Sequence, residues 1–240
     1  MPVYHDYKLI HVHIPRSGGT SIQKELFEDF DGQKVYVGTK PVDLYGISGG
    51  KVLQHLTCNE MLRENYVSIK MFDNYFKFTV VRNPYYRIIS QYLWSIEDKN
   101  ATSFHDYIVN IVDNFASYGG VIRFPFNKQS EFQILHLRPQ WKFIYNDNRN
   151  DNNINTCPKL LVDKVIRMEN YEEEVNKFLE EHCDKKTPAS KQHKCNYGKT
   201  IKNMYTSNEL LDIVNKYYKK DFELLDYPMF TSIDDIPNDL

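Results

Sequence analysis

Short apolar runs and longer amphipathic runs alternate along the chain. Apolar runs rich in β-branched residues predict buried strands at 8–14, 34–38, 51–55, 76–81 and 163–169. Apolar residues repeating every three or four positions predict helices over 17–30, 57–65, 103–115, 129–138 and 170–182, with two more beginning near Pro84 and Thr206. We therefore expect one α/β domain over residues 1–240, with a mostly parallel sheet flanked by helices on both faces.

Local signals mark where three of these helices begin. Thr57 with Glu60, and Thr206 with Glu209, have the spacing of capping boxes. The pair Asn83-Pro84 predicts an N-cap followed by the first helical position.

The first predicted strand runs into the string HIPRSGGTS (13–21), which has the composition of an anion-binding turn. Gly18 and Gly19 allow an oxyanion close to the backbone, and the first amides of a helix lack helical partners. Thr20 and Ser21 add hydroxyl donors, and Arg16 adds a fixed positive charge. The string is P-loop-like, but it lacks the glycine spacing and the lysine of G-x-x-x-x-G-K-[ST].

A second basic motif follows the strongest predicted strand, in FTVVRNPYYRIISQY (78–92). Arg82 comes directly after the strand, and Ser90 lies eight residues further along the predicted helix. Ligands of open α/β sheets bind beyond the carboxyl ends of the strands, so we expect Arg82 at the same rim as the 15–21 loop. A guanidinium suits a phosphate because its planar fork donates two parallel hydrogen bonds. Arg87 is interpreted as structural.

Both strings resemble motifs of the sulfotransferases that use 3′-phosphoadenosine 5′-phosphosulfate (PAPS), and HIPRSGGTS is most similar to the Golgi-type carbohydrate (heparan and chondroitin) O-sulfotransferases. The resemblance implies an enzyme that moves a sulfuryl group from PAPS to an acceptor hydroxyl, expected on a carbohydrate, and releases adenosine 3′,5′-bisphosphate (PAP). It implies that Arg82 and Ser90 bind the 3′-phosphate. It also implies that the 5′-phosphosulfate is bound by Arg16, Ser17, Gly18, Gly19, Thr20 and Ser21.

The candidate general base is His55, which follows a predicted strand and precedes a predicted helix cap. An imidazole titrates near neutral pH and can take the proton of a hydroxyl. Its segment resembles the family's GHxTxxEL segment, whose histidine is the proposed base. Arg16 is the second catalytic candidate, acting by charge alone, because arginine is a poor acid whereas relatives mostly carry lysine there. His11 and His13 are expected to be packing residues within the first strand.

Composition limits which partners and which cellular compartment we expect for this chain. The net charge of −2 argues against a nucleic-acid partner. The four cysteines lack C-x-x-C spacing and the chemistry needs no metal, so we expect free thiols and no metal site. No apolar run is long enough to span a bilayer and no signal peptide is evident, which predicts a cytoplasmic protein or the catalytic part of a longer one.

Alternatives stay open at this stage. One is an ATP-dependent phosphotransferase, which the missing Walker lysine disfavours, and another is a non-catalytic module that binds a nucleotide or a glycan. The sulfated position and the oligomeric state are open as well. Lys199 is either a contact to the nucleotide phosphates or a solvated loop residue.

Overall fold

The computed structural model of the chain describes residues 2–26, 42–43, 47–48, 51–97, 103–113, 135–146, 158–183 and 200–238. Contacts divide the chain into two compact units. The first unit consists of Met1–Val81 with Lys142–His193, and the second of Arg82–Trp141 with Lys194–Leu240. One sulfotransferase-like domain over residues 1–240 stays a prediction.

Seven short strands lie in the first unit. They are β1 (Val3–Tyr4), β2 (Leu9–Val12), β3 (Val42–Asp43), β4 (Ile47–Ser48), β5 (Lys51–Val52), β6 (Phe76–Val81) and β7 (Lys164–Arg167), counted over the described residues. Five of them form a mixed sheet in the order β3-β1-β2-β6-β7, and β4 pairs with β5 in a separate hairpin. The longer strands β2, β6 and β7 are parallel, whereas β1 runs antiparallel to β2 and β3. The carboxyl ends of β2 and β6 therefore lie at the same edge of the sheet.

Helices alternate with these strands along the chain. In chain order the described helices are α1 (Gly19–Leu26), α2 (Cys58–Arg63), α3 (Ile69–Asn74), α4 (Pro84–Glu97), α5 (Phe104–Tyr107), α6 (Trp141–Ile144), α7 (Tyr171–Cys183), α8 (Ile201–Met204) and α9 (Asn208–Leu225). A π-helical turn, Ile108–Val112, continues α5, and single 3-10 turns follow β5 and β7. None of the helices within the described ranges is both long and apolar enough to cross a membrane.

Both faces of the sheet in the first unit are covered by helices, as the sequence predicts. On one face Phe78 of β6 packs against Phe178 of α7, with ring centroids 4.4 Å apart. Apolar side chains of α1 join the same core. On the other face Lys77 reaches α3, where its Nζ donates to the Phe72 carbonyl at 3.1 Å. The chain has an α/β fold in which the carboxyl ends of the parallel strands β2, β6 and β7 lie at one edge of the sheet.

The second unit is built around α4 and α9. Tyr85 of α4 and Phe222 of α9 are buried, with ring centroids 4.9 Å apart. The Tyr85 hydroxyl donates to Asn215 Oδ1 and accepts from the Phe230 amide at 3.0 Å. These contacts hold the first turn of α4, the helix that begins two residues after Arg82.

Several predicted elements are confirmed. The strands predicted at 8–14, 76–81 and 163–169 correspond to β2, β6 and β7. The Thr57–Glu60 capping box is present, with the Glu60 amide 3.0 Å from Thr57 Oγ1 and the Thr57 amide 2.8 Å from Glu60 Oε2. Asn83 Oδ1 accepts from the Tyr85 amide at 3.0 Å, so the predicted start of α4 is also confirmed.

Two predictions were wrong in part. The 51–55 segment is a strand only at Lys51–Val52, because these residues pair with the equally short β4, and Leu53–His55 then form a 3-10 turn. The last helix is not capped by Thr206. Its N-cap is Ser207, so Glu209 is the second helical residue rather than the third and no capping box forms. The 34–38 strand and most of the 129–138 helix lie outside the described residues.

Candidate functional site

The loop between β2 and α1 has the geometry of an anion-binding turn. Arg16 has φ of 64° and Gly18 has φ of 83°, a left-handed conformation that is uncommon for arginine. The amides of Ser21 and Ile22 donate to the Gly18 carbonyl at 3.0 and 3.2 Å. The amides of Gly19 and Thr20 therefore precede the first amides that donate helical hydrogen bonds. They lie at the N-terminus of the helix, where anions bind.

The charge distribution around this loop favours an anion. Arg16 is half-buried and Thr20 is exposed, whereas Ser17, Gly19 and Ser21 are buried. The first turn of α1 has no acidic residue to oppose a bound anion. The positive end of the helix dipole and the Arg16 guanidinium thus belong to the same short segment.

Gly18 is required at its position for two reasons. Its positive φ disfavours a residue with a Cβ. A Cβ built there would also lie 2.6 Å from Met168 Sδ, in the turn that follows β7. The loop backbone consequently packs closely against the end of a second parallel strand.

Three histidines form a column beside this loop, which we call the histidine column (His11, His13 and His55). The rings of His11 and His13 stack at 5.2 Å with an interplanar angle of 12°. His13 and His55 meet edge to face, with centroids 4.7 Å apart. His11 stacks in turn on Phe78 at 4.8 Å. All three are buried, with exposed fractions of 0% to 7%.

The contact between His55 and the backbone fixes the tautomer of His55. Its Nδ1 lies 3.0 Å from the carbonyl oxygen of His13. A carbonyl only accepts, so Nδ1 carries the proton and donates. In the neutral ring the lone pair is then on Nε2, the atom able to receive a proton. The contact with the His13 carbonyl therefore fixes the orientation of the His55 ring.

His11 is a packing residue, as the sequence predicts. Both ring nitrogens are buried and have no hydrogen-bond partner among the described residues. Burial lowers the pKa of His11 to about 3. The ring is therefore neutral at physiological pH and supports His13 through stacking.

In the second unit, Gln140 binds the backbone of Arg82. The Arg82 amide donates to Gln140 Oε1 at 2.9 Å, and Gln140 Nε2 donates to the Arg82 carbonyl at 2.7 Å. The Arg82 guanidinium lies 5.9 Å from the centroid of the Tyr86 ring. The amide and the carbonyl of Arg82 are thus both held by one side chain.

The other polar residues of this motif differ in their surroundings. Arg87 is buried and donates from one nitrogen to the carbonyls of His136 and Arg138, at 2.6 and 2.7 Å. This agrees with the structural interpretation of Arg87. Ser90 lies on α4, is 3% exposed and belongs to the same unit as Arg82. Lys199 lies outside the described residues.

The carboxylate of Asp221 binds the backbone at Gln140. Its two carboxylate oxygens accept from the amides of Gln140 and Trp141, at 2.9 and 2.8 Å. Burial raises the pKa of Asp221 to about 6, although Arg87 and these two amides favour the ionised form. Asp221 therefore holds the backbone of the residue that bonds to Arg82, and its own carboxyl group has a pKa of about 6.

This raised pKa predicts a pH-dependent stability that Asp221→Asn removes. The folded state holds the Asp221 proton more tightly than the unfolded state, whose pKa is near 3.8, so the contribution is full below that value. It is lost as the pH rises through about 6. The free energy of unfolding of wild type minus that of Asp221→Asn should fall by about 2 kcal/mol between pH 4.5 and 7.5. Urea unfolding of both proteins measures it, and a difference independent of pH contradicts the linkage.

Three residues in these networks have no assigned role in the sequence analysis beyond packing. They are His13, Gln140 and Met168. The alternation His-Val-His signals that His11 and His13 share a face of the strand, and Gln140 lies in LRPQWKFI (137–144). No group of three or more potential metal ligands occurs within the part of the chain that the structure describes.

Comparison with known proteins identifies the family of the chain. A family model described as the sulfotransferase family matches residues 1–228 of the chain. The match includes the 13–21 loop, His55 and the 78–92 motif. No curated protein and no solved structure matches the chain.

Proposed function

Because the chain belongs to the sulfotransferase family, we propose that it transfers a sulfuryl group from PAPS to a hydroxyl of a carbohydrate acceptor. The observation that carries the proposal is the β2–α1 loop, which combines the charge of Arg16, a left-handed backbone at Arg16 and Gly18, and the N-terminus of α1. His55 is held beside the residue that leads into this loop. A site for a transferable anion and an oriented base thus occur together in one unit.

The loop is assigned to the 5′-phosphosulfate. The amides of Gly19 and Thr20 precede the helical hydrogen bonds and are available as donors to its oxygens. Arg16 supplies a permanent charge next to them. Fixed donors of this kind stabilise the charge that develops on the leaving phosphate, without rearrangement during the reaction.

Arg82 and Ser90 are assigned to the 3′-phosphate of the nucleotide. Arg82 is bonded to Val81, the last residue of β6, and Gln140 holds its backbone amide and carbonyl. A guanidinium on a fixed backbone binds a phosphate with less loss of conformational freedom. PAPS has a 3′-phosphate and ATP does not, so a site for this phosphate favours binding of PAPS over ATP.

The transfer step follows from these assignments. The acceptor hydroxyl gives its proton to Nε2 of His55, and its oxygen forms a bond to sulfur. The bond between sulfur and the bridging phosphate oxygen breaks, and PAP leaves with the electron pair. Arg16 acts through its charge, because the phosphate leaving group is a weak base and hardly needs a proton. The products are the sulfate ester, PAP and a protonated His55.

Binding of PAP tests the proposal against the two alternatives. PAP at about 100 times its Kd should raise the Tm by about 5–10 °C, whereas ATP at the same concentration should not. Stabilisation by ATP and not by PAP indicates a phosphotransferase. Stabilisation by PAP without any sulfate transfer across a carbohydrate panel indicates a non-catalytic nucleotide-binding module.

A further inference from the structure

We propose that the side chain of His13 is a positioning residue, which sets the spacing between the donor-binding loop and His55. Its imidazole occupies the space above Gly19 on one side and contacts the His55 ring on the other. This inference rests on the proposed function, because it takes the loop to bind the donor and His55 to be the base. It assigns a role to a residue that sequence patterns alone treat as core.

The first contact is with Gly19, the first residue of α1. A Cβ built on Gly19 would lie 2.6 Å from Cε1 of His13 and closer still to Nε2 and Cδ2. Backbone conformation does not demand glycine here, since the only described glycine with positive φ is Gly18. Gly19 is therefore needed because the His13 ring fills the position of a side chain.

The second contact is with the base, and His13 makes it twice. Its carbonyl accepts from His55 Nδ1 at 3.0 Å, and its ring meets the His55 ring at 4.7 Å with an interplanar angle of 62°. One residue thus fixes both the tautomer and the tilt of His55. The carbonyl contact belongs to the backbone, so substitution of the side chain tests the ring alone.

The remaining neighbours prevent the His13 ring from moving away. His11 stacks on it at 5.2 Å, and Phe78 stacks on His11 at 4.8 Å with an interplanar angle of 6°. Both residues are fully buried on the central strands β2 and β6. The histidine column therefore runs from the sheet core to the base and touches the N-terminus of α1 on the way.

The consequence for the reaction is geometric. The loop that holds the donor fixes the position of the sulfur atom, and Nε2 of His55 is the atom that takes the proton. Displacement of reacting groups by about 1 Å costs about 100-fold in rate even when binding is kept. Loss of the His13 ring should therefore reduce kcat and leave nucleotide affinity nearly unchanged.

A cycle of His13→Ala and Gly19→Ala tests the proposal. We expect His13→Ala to lower kcat by about 10- to 100-fold, with the Kd for PAP changed by less than about threefold. Gly19→Ala alone should weaken PAP binding and lower the Tm, because its Cβ meets the His13 ring. In the His13→Ala background the same Cβ has room, so Gly19→Ala should cause little further loss of either property.

Gly18→Ala is the matched control. Its Cβ meets Met168 and its backbone disfavours alanine, so His13→Ala should not rescue it. His13→Phe keeps a flat ring above Gly19 and should retain most of the kcat, which separates loss of the ring from loss of folding. The proposal is overturned if Gly19→Ala is equally harmful in both backgrounds, or if His13→Ala leaves kcat unchanged.

The Tm readings keep this test separate from the proposed function. If the wild type binds no PAP, the proposed function fails. Rescue of the Tm in the double variant would still establish the steric contact between His13 and Gly19, but the positioning role would fall with the function. If PAP binds and the Tm shows no rescue, only the inference about His13 fails.

Discussion

Replacing His55 with alanine is expected to lower kcat by about 10²–10⁴-fold, the contribution typical of a general base. In the proposed reaction the neutral His55 ring, whose Nδ1 donates to the His13 carbonyl, takes the acceptor proton at Nε2, and alanine has no group to do so. His55 does not bind the nucleotide in this account. The Kd for PAP should therefore stay within about threefold of the wild-type value, which corresponds to less than about 1 kcal/mol.

The control for this substitution is His105→Ala. The His105 side chain is 54% exposed and lies 3.8 Å from Asp106 at the start of α5, so its removal should leave kcat unaltered. Turnover is measured as PAP released from PAPS in the presence of acceptor. An equal loss of PAP affinity and turnover in His55→Ala would remove the role of base from this residue.

Replacing Arg82 with alanine is expected to weaken PAP binding by about 10- to 150-fold, since hydrogen bonds to charged groups contribute about 1.5–3 kcal/mol. The backbone of residue 82 should stay in place in the variant, because Gln140 bonds to its amide and carbonyl. The substitution therefore tests the side chain alone. ATP has no 3′-phosphate, so any weak ATP affinity should not change. Calorimetric titration with the two nucleotides measures both effects.

Two variants sharpen the Arg82 experiment. Arg82→Lys keeps the charge but loses the planar fork, so its affinity for PAP should fall between those of wild type and Arg82→Ala. Arg63→Ala removes an exposed arginine that pairs with the neighbouring Glu64, and it should have no effect on PAP. Unchanged PAP affinity in Arg82→Ala contradicts the assignment of the 3′-phosphate.

The parts of the fold that the sequence predicts well are those decided by local physics. The runs at 8–14 and 76–81 are rich in apolar and β-branched residues, as is typical of buried parallel strands, and they become the central strands β2 and β6. The 13–21 loop is recognisable because a strand, two glycines and a helix start create an anion site without distant partners. Thr57 and Asn83 likewise cap helices through contacts within three residues.

The parts that sequence reasoning missed depend on contacts between distant positions. His13 holds His55 across 42 residues, and Gln140 holds Arg82 across 58. Nothing local distinguishes a histidine on a strand that packs from one that positions a base. The last helix begins after Ser207 rather than Thr206, and the Ser207 side chain makes no capping hydrogen bond, so a pattern of capping residues does not locate this helix start.

The most direct measurement of the central claim is transfer from PAPS labelled with sulfur-35. The purified chain is incubated with labelled PAPS and a panel of neutral and acidic oligosaccharides, and wild type is compared with His55→Ala. The account predicts labelled sulfate ester on at least one oligosaccharide with one PAP released per ester, and loss of both signals in His55→Ala. PAP bound by the wild type with no ester formed on any member of the panel would contradict it.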